Sequence, residues 1–360
     1  MSSQIIIYGC YGYTGQLIVE EAVRLGMQPV LSGRDAERVF QLAKQYHLEA
    51  RPFPLSSAEE VSAFLQKGDV MLNCAGPFAH TADVMINACL LAGCHYLDIT
   101  GEYQVFESAY MMDSLAKKHG ILLMPGTGFD VVPSDCLSLF LKEKLPTADK
   151  LSLCLISSGG MLSHGTALTI LEGAGMGTMV RRKNRLVKIP TGKLTRSVNI
   201  PGRKKMSAVA ISWGDISTAF RSTAIPNITV YNALPDNVIS NMSWLDTLRP
   251  FIHWGPIKRF LQGRIKKKPA GPSHEQRQKA KMFIWGEVFN NIGSFKRYLL
   301  ETPEGYTLTA MTSVDIAKQI SEKTISLSGF YTPAQAFGSD YILKFEGVKL
   351  SSLDVDSPTS

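Results

Sequence analysis

Three glycines stand at Gly9-x-x-Gly12-x-x-Gly15, directly after the apolar run Gln4–Tyr8 and before a helix-like stretch, Thr14–Leu25. Such a turn lets the chain leave a strand sharply, lets a pyrophosphate approach bare backbone and lets helix and strand pack closely. The first interval is one residue longer than in the usual G-x-G-x-x-G. Its context, strand before and helix after, is what gives the pattern meaning. The first helical amides and the helix dipole would face negative charge, so Gly9, Tyr11, Gly12, Tyr13, Thr14 and Gly15 are candidate phosphate contacts. A second strand, Pro29–Ser32, ends in Ser32, Gly33 and Arg34. A carboxylate there would accept from a ribose 2′-hydroxyl. An arginine instead can pair a 2′-phosphate and stack on adenine. Arg38 follows one helical turn later on the same face, and Asp35 is either a helix N-cap or a ribose ligand. The expected cofactor is NADPH (NADP).

Further polar groups sit where later strands end. Asn73, Ala75, Gly76 and Pro77 follow the strand Val70–Asn73 and are expected to line the coenzyme near its nicotinamide half, or to shape the turn. Asp98, Gly101, Glu102 and Tyr103 follow the strand His95–Asp98. Asp98 or Glu102 could contact ribose or act as an acid, or form an Asx-type turn and a first helical turn. Tyr103 is a candidate proton donor, with a packed amphipathic ring as the alternative. Asp130 is either an acid or the cap of the helix that follows Pro133. His164, on a turn of small residues, could protonate a product near neutrality. Tyr103 and Tyr110 have no Lys four residues later, which disfavours a Tyr-x-x-x-Lys mechanism.

The elements that must position these groups alternate. Strands at Arg51–Phe53, Val70–Asn73, His95–Asp98 and Ile121–Met124 are separated by helices at Ala58–Leu65, Ala82–Ala92 and Val105–His119. This pattern predicts an α/β fold, a Rossmann-type doubly wound parallel sheet with every strand C-terminus on one edge. The texture changes near Asp130. A helix over Pro133–Leu145 is followed by strand-like runs at Leu151–Ser157, Arg196–Ile200, Ser207–Ile211 and Ile228–Tyr231, with a helix starting near Thr166. The expected organisation is a dinucleotide domain over 1–130, with 325–350 returning to it. An inserted α+β substrate domain with a basic surface covers 131–324, and a loose tail 351–360. Tyr306–Met311 and Ile342–Phe345 read as strands.

The chain has 360 residues, suited to two domains, and its net charge is +7. From Arg181 to Lys281 there are 21 Lys or Arg against 4 Asp or Glu, so the basic charge is concentrated on one part of an otherwise acidic body. Such a field gathers anionic partners. Trp244–Lys268 mixes Trp244, Phe251, Trp254 and Phe260 with Arg249, Lys258, Arg259 and Arg264, the composition of an interfacial segment. Pro250, Gly255 and Pro256 interrupt it, so a basic cap over a substrate cleft is the other reading. No apolar run is long enough for a transmembrane helix and no secretory signal is expected. Six scattered cysteines with no C-x-x-C suit a reduced, cytoplasmic chain without a metal site. No recognition motif accompanies the basic stretch, so nucleic acid is not an expected partner.

At these turns the chain resembles the saccharopine dehydrogenase-like oxidoreductases, with the closer likeness to the bacterial branch that includes trans-acting enoyl reductases. The matching pieces are Gly9–Gly15, Gly33-Arg34, Asn73–Phe78, Tyr96–Glu102, Gly128–Asp135, Gly165-Thr166, Gly271–Ser273, Trp285–Glu287, Thr302–Tyr306 and Thr332–Ala334. They span most of the chain. His164 departs from the family's pattern, which has glycine there. The resemblance implies an NADPH domain with an inserted mixed catalytic domain whose C-terminal segment returns to the first. It also implies an oxidoreductase acting on a small-molecule or carrier-bound acyl substrate. The expected reaction is enoyl reduction. The alternatives are a saccharopine-type imine reductase, with Arg181, Arg182 or Arg203 holding carboxylates, and a non-catalytic NADPH-binding protein at an anionic membrane. The expected location is cytoplasmic, peripheral at the membrane in the last case, and an oligomer is compatible with all of these.

Overall fold

A computed structural model describes residues 3–159, 161–200, 204–242 and 244–354. Arg203, Gly160 and most of the expected tail, 355–360, lie outside the described residues. Two compact units emerge. The first takes the chain up to Val132 together with Gly305–Ala336, and the second takes Pro133–Glu304 and the residues from Phe337 on.

The first unit begins with β1 (Ile5–Tyr8), α1 (Tyr13–Arg24), β2 (Val30–Ser32), α2 (Ala36–Tyr46) and α3 (Ala58–Ser62). It continues with β3 (Val70–Asn73), α4 (Ala82–Ala92), β4 (His95–Asp98), α5 (Tyr103–Met111), α6 (Asp113–His119) and β5 (Leu122–Met124). The strands lie parallel in the order β5, β4, β3, β1, β2, with the short strand Gly329–Phe330 outside β5. Helices on both faces bury the sheet, so β1, β2 and β3 are buried at every position and read as continuous apolar runs rather than alternating ones.

Arg51–Phe53, expected as a strand, is only an extended strip beside β2. Ala50 bridges Leu31, and the amides of Arg51 and Phe53 donate to Leu31 and Gly33 carbonyls at 2.9 and 3.1 Å. Pro52 and Pro54 have no N–H, which prevents a regular ladder. Counting this strip, the spatial order is that of a dinucleotide-binding sheet, and its switch point falls between β1 and β3. Register then aligns the strand ends: Tyr8 pairs with Ser32 on one side and Asn73 on the other, and Asn73 pairs with Asp98. Three candidate positions, Ser32, Asn73 and Asp98, thus stand in one row with Tyr8 across the sheet's C-terminal edge.

Four other expectations change. The single helix expected over Val105–His119 is two helices, α5 and α6, broken at Met112. Asp113, which opens α6, accepts from the Phe330 amide at 2.8 Å and so ties down the edge strand. Tyr306–Met311 lies in a long helix, Gly305–Ser321, which packs on α1, and Ile342–Phe345 lies largely in a 3₁₀ turn, Tyr341–Lys344. The segment that joins the first unit is Gly305–Ala336 rather than 325–350, because that helix packs there while Lys349–Ser352 pairs with Phe295–Pro303 in the second unit.

Among the described residues, the second unit is built on a mixed nine-stranded sheet. At its centre Lys150–Ser157 runs parallel to Asn227–Ala233 and antiparallel to Lys281–Phe289, which forms a long hairpin with Phe295–Pro303. A second hairpin, Thr178–Arg182 with Arg185–Ile189, turns through Lys183 and Asn184, both at positive φ as a two-residue turn requires. Among the described residues no helix is long and apolar enough to cross a membrane.

Candidate functional site

At the end of β1 the chain turns through Gly9 at φ +80°. The amides of Gly9 and Cys10 donate to the Ser32 carbonyl at 2.9 and 3.2 Å, and the Gly12 amide donates to the Gly9 carbonyl at 3.0 Å. A Cβ on Gly9 would lie 3.0 Å from the Ala75 nitrogen, and one on Gly15 would collide with the Gly9 carbonyl oxygen. These glycines are therefore required by the close approach of turn, helix and the β3 end. The first turn of α1, with Tyr13, Thr14 and Gly15, follows Gly12 as N-cap, has no side-chain cap and carries no acidic residue. The N–H groups of a helix's first turn lack intrahelical partners, so this end suits a phosphate.

Ser32 is fully buried and its hydroxyl donates to the Arg51 carbonyl at 2.7 Å, so it braces the turn with side chain and carbonyl alike. Gly33 leaves room for the Tyr11 ring, since a Cβ there would lie 2.5 Å from Tyr11 Cε1. Tyr11 accepts on its hydroxyl from the Asp35 amide at 3.2 Å, while Arg38 covers its ring with Cζ 4.4 Å from the centroid. Asp35 resolves as the N-cap of α2, accepting from the Arg38 amide at 3.2 Å. Arg34 is exposed, with no hydrogen-bond or ion-pair partner among the described residues. Beyond β2, among the described residues, there is thus one unengaged guanidinium and a second stacked on a tyrosine, while the Asp35 carboxylate accepts from an amide of α2.

The β3 turn is internally held. Asn73 is buried, donates to Thr81 Oγ1 and Tyr96 Oη at 3.3 and 3.4 Å, and accepts from the Ala75 amide at 3.0 Å. Its polar atoms shape the turn, and Ala75 with the Cys74 backbone is what faces Gly9. The Gly76–Pro77 bond is cis. Glu102 clamps the next stretch, its two carboxylate oxygens accepting from the Phe78 and Ala79 amides at 2.9 and 2.8 Å.

Asp98 is fully buried. Oδ1 accepts from Thr100 and Gly126 amides at 3.0 and 2.8 Å, and Oδ2 accepts from Tyr96 Oη at 2.7 Å. Burial pushes its carboxyl up to about 7, against three hydrogen bonds that favour the charged form. Asp98 therefore organises the β4 and β5 ends. Asp130 lies against Gly101, where a Cβ would come 2.9 Å from Asp130 Oδ2. Its carboxyl is also pushed up to about 7, by burial first and by the Glu102 charge second. Tyr103, the first residue of α5, is half-buried, and burial followed by the Glu107 charge raises its phenol. The first unit thus brings Asp98, Gly101, Glu102, Tyr103 and Asp130 to one stretch of the sheet edge.

His164 belongs to the second unit. Ser163 caps its helix, accepting from the Thr166 amide at 3.2 Å, and the His164 Nε2 bonds the Lys268 carbonyl at 2.7 Å while its amide donates to Ala270 at 3.0 Å. The ring fastens a loop. Arg181 Nε and Nη1 donate to Ile216 and Asn184 carbonyls at 2.6 and 2.7 Å, and Arg182 Nη1 donates to the Arg181 carbonyl at 2.8 Å.

One set of supporting residues escaped the sequence reading. On the helix Gly305–Ser321, Thr309 Oγ1 accepts from the Phe129 amide at 3.0 Å, Thr312 donates to the Thr127 carbonyl at 2.7 Å and Ser313 bonds the same carbonyl at 3.2 Å. Spacing of three and four residues puts these hydroxyls on one helix face, the signal that could have found them. Among the described residues no group of three or more His, Cys, Asp or Glu could hold a metal.

Residues 5–124 match the family model described as the saccharopine dehydrogenase NADP binding domain. The match shows what this stretch is similar to. It contains the glycine turn, Arg34, the β3 turn, Asp98 and Tyr103. Over 235 residues the chain is 26% identical to a saccharopine dehydrogenase-like oxidoreductase of Bos taurus, covering 58% of this chain and 53% of that one. Over 181 residues it is 28% identical to a Mycobacterium tuberculosis protein provisionally described as a trans-acting enoyl reductase, covering 47% of this chain and 43% of that one. The chain thus spans about half the length of these relatives. The fold of the Saccharomyces cerevisiae saccharopine dehydrogenase (L-Glu forming) superposes with a TM-score of 0.66 at 10% identity, covering 98% of this chain and 100% of that one, a likeness of fold.

Proposed function

We propose that the chain is an NADPH-dependent oxidoreductase that reduces a C=C bond of an acyl or lipid-type substrate. The observation that carries the coenzyme half is the end of β2. Asp35 is committed to capping α2, and Arg34 extends unengaged where a 2′-phosphate would lie. The Gly9–Gly15 turn suits a pyrophosphate because the first turn of α1 has no side-chain cap and no acidic residue.

Bound NADPH would supply hydride to the β-carbon of the polarised alkene. The protein's part is to place that carbon and deliver a proton to the α-carbon, so that the alkene becomes an alkane as the coenzyme becomes NADP⁺. Of the candidate donors, Asp98 and His164 bond backbone groups. Asp130, beside Gly101, and Tyr103, which opens α5, are the acids assigned to this step. Burial pushes the Asp130 carboxyl up to about 7, and the Tyr103 phenol, raised by burial from an ordinary value already far above neutrality, carries its proton there.

The substrate half rests on the description of the Mycobacterium tuberculosis relative and on the basic stretch of the second unit, which suits an anionic carrier, membrane or substrate. A saccharopine-type imine reductase needs cations able to hold two carboxylates. Arg181 and Arg182 direct guanidinium nitrogens at carbonyls, which weighs against that rival. The test is NADPH oxidation by the purified chain with an enoyl thioester, compared with a 2-oxo acid plus an amino acid. Turnover on the thioester alone supports the proposal. Turnover on the oxo-acid mixture replaces it, and NADPH binding without turnover on either makes the chain a coenzyme-binding protein.

A further inference from the structure

The helices Trp244–Ile252 and Gly255–Lys266 are held to the second unit by one side each. Asp246 accepts from the Thr191 amide and hydroxyl at 2.8 and 2.6 Å, His253 Nε2 bonds the Ala174 carbonyl at 2.9 Å, and Lys258 Nζ pairs with Glu172 at 2.8 Å. Helical spacing puts Trp244, Leu248 and Phe251 opposite Asp246, and Phe260 opposite Lys258 and Ile265. These outward positions are apolar. Trp244, Phe251, Trp254 and Phe260 are between 61 and 63% exposed, and Leu248 is 45% exposed. Isolated exposed apolar groups are ordinary, but four large aromatics on adjoining helices in one protein are not.

The surrounding charge says what covers them. Residues 244–268 carry seven Lys or Arg against one Asp. Arg249, Arg259, Arg264 and Lys266, Lys267, Lys268 are exposed. At the end of the second helix a shallow cavity of about 310 Å³ is lined by Phe260, Arg264, Lys267 and Lys268, an aromatic ring beside three cations. A second copy of this chain would bring like charges together. An acidic carrier would satisfy the cations but leave the aromatics without an apolar partner. A bilayer with anionic headgroups meets both demands, since tryptophans favour the headgroup level and cations the phosphate plane.

We propose that this helical pair is a peripheral docking surface for anionic phospholipid, with the four aromatics entering the headgroup layer and the cluster at Arg264–Lys268 holding lipid phosphate. The proposal deepens the acyl-substrate reading by naming where such a substrate is met, but vesicle binding needs no turnover, so the two can fail separately.

The experiment is co-sedimentation of the full chain with vesicles of phosphatidylcholine alone or with about 30% phosphatidylserine added. A variant carrying Trp244→Ser, Phe251→Ser, Trp254→Ser and Phe260→Ser, and one carrying Lys266→Glu, Lys267→Glu and Lys268→Glu, are run beside it. The changed aromatics are exposed, so unchanged melting and NADPH titration show that both variants fold. Binding to the serine-containing vesicles only, at least about tenfold weaker in each variant and falling with salt, is the expected result. A blue shift of tryptophan emission on vesicle addition, lost in a Trp244→Phe, Trp254→Phe variant, supports it further. The proposal is overturned if anionic vesicles are not bound at low salt or if the aromatic variant binds as well as the parent. It is also overturned if an acidic acyl carrier protein is retained while vesicles are not.

Discussion

The guanidinium of Arg38 lies over the ring of Tyr11, 4.4 Å from its centre, and donates to the Tyr11 carbonyl at 3.1 Å. One cation is thereby built into the wall of the glycine turn while its neighbour, Arg34, is exposed and has no hydrogen-bond or ion-pair partner among the described residues. The two arginines do different work. Arg34→Ala is expected to weaken NADPH binding about 10- to 100-fold, the value of a charge-assisted contact, and to change NADH binding little. Arg38→Ala is expected to weaken both coenzymes, because Tyr11 loses its cover. Fluorescence titration of each variant with each coenzyme separates these outcomes.

Gly15 permits no side chain, since its Cβ would meet the Gly9 carbonyl oxygen. Gly15→Val should cost about 1–3 kcal/mol through forced backbone shifts and should abolish coenzyme binding. Thermal melting and titration check the two effects. A variant that binds NADPH normally would show that the turn is not the phosphate cradle.

Much of the first unit was legible because its cues are local. Apolar runs, glycine turns and caps such as Asp35 leave β1 through β5 little choice. The second half of the chain depends on partners distant in sequence. Thr309 sits in Tyr306–Met311, a run whose β-branched residues suggest a strand, yet its hydroxyl and those of Thr312 and Ser313 just beyond bond an amide and a carbonyl of the 127–129 loop, and a helix forms instead. The hairpin of Lys281–Phe289 with Phe295–Pro303 went unread, although Asn290 and Gly293, the latter at φ +89°, mark its turn. At the site, residue types identified the row Ser32, Asn73 and Asp98 but not its inward orientation. Polar atoms that looked available for ligands bond the backbone, a fact set by register rather than composition.

Thr312 reaches the Thr127 carbonyl from within a fully buried setting. Thr312→Val keeps the shape and removes the donor, leaving that carbonyl with the weaker Ser313 contact. A loss of about 1–2 kcal/mol is expected, with faster hydrogen exchange at Thr127 and Phe129 than at β1. Uniform exchange would mean that the helix does not hold this loop.

Asp130 links stability to pH. Its folded carboxyl titrates at about 7, raised from 3.8 by burial and then by Glu102. Between those values the folded chain keeps a proton that the unfolded chain has released, so stability falls as pH rises and levels off above about 7. Asp130→Asn has no such proton. Its melting temperature relative to the parent should therefore rise from pH 4 to about 7, by a few degrees, and stay level beyond. A constant difference across this range would place the Asp130 carboxyl at its ordinary value. The same variant should lose turnover if Asp130 donates the proton.

The most direct test of the coenzyme assignment is calorimetric titration of the well-folded parent chain with NADPH and with NADH. NADPH should bind at least about tenfold more tightly, as expected for one guanidinium meeting a 2′-phosphate. No heat with either coenzyme, or tighter binding of NADH, would contradict it.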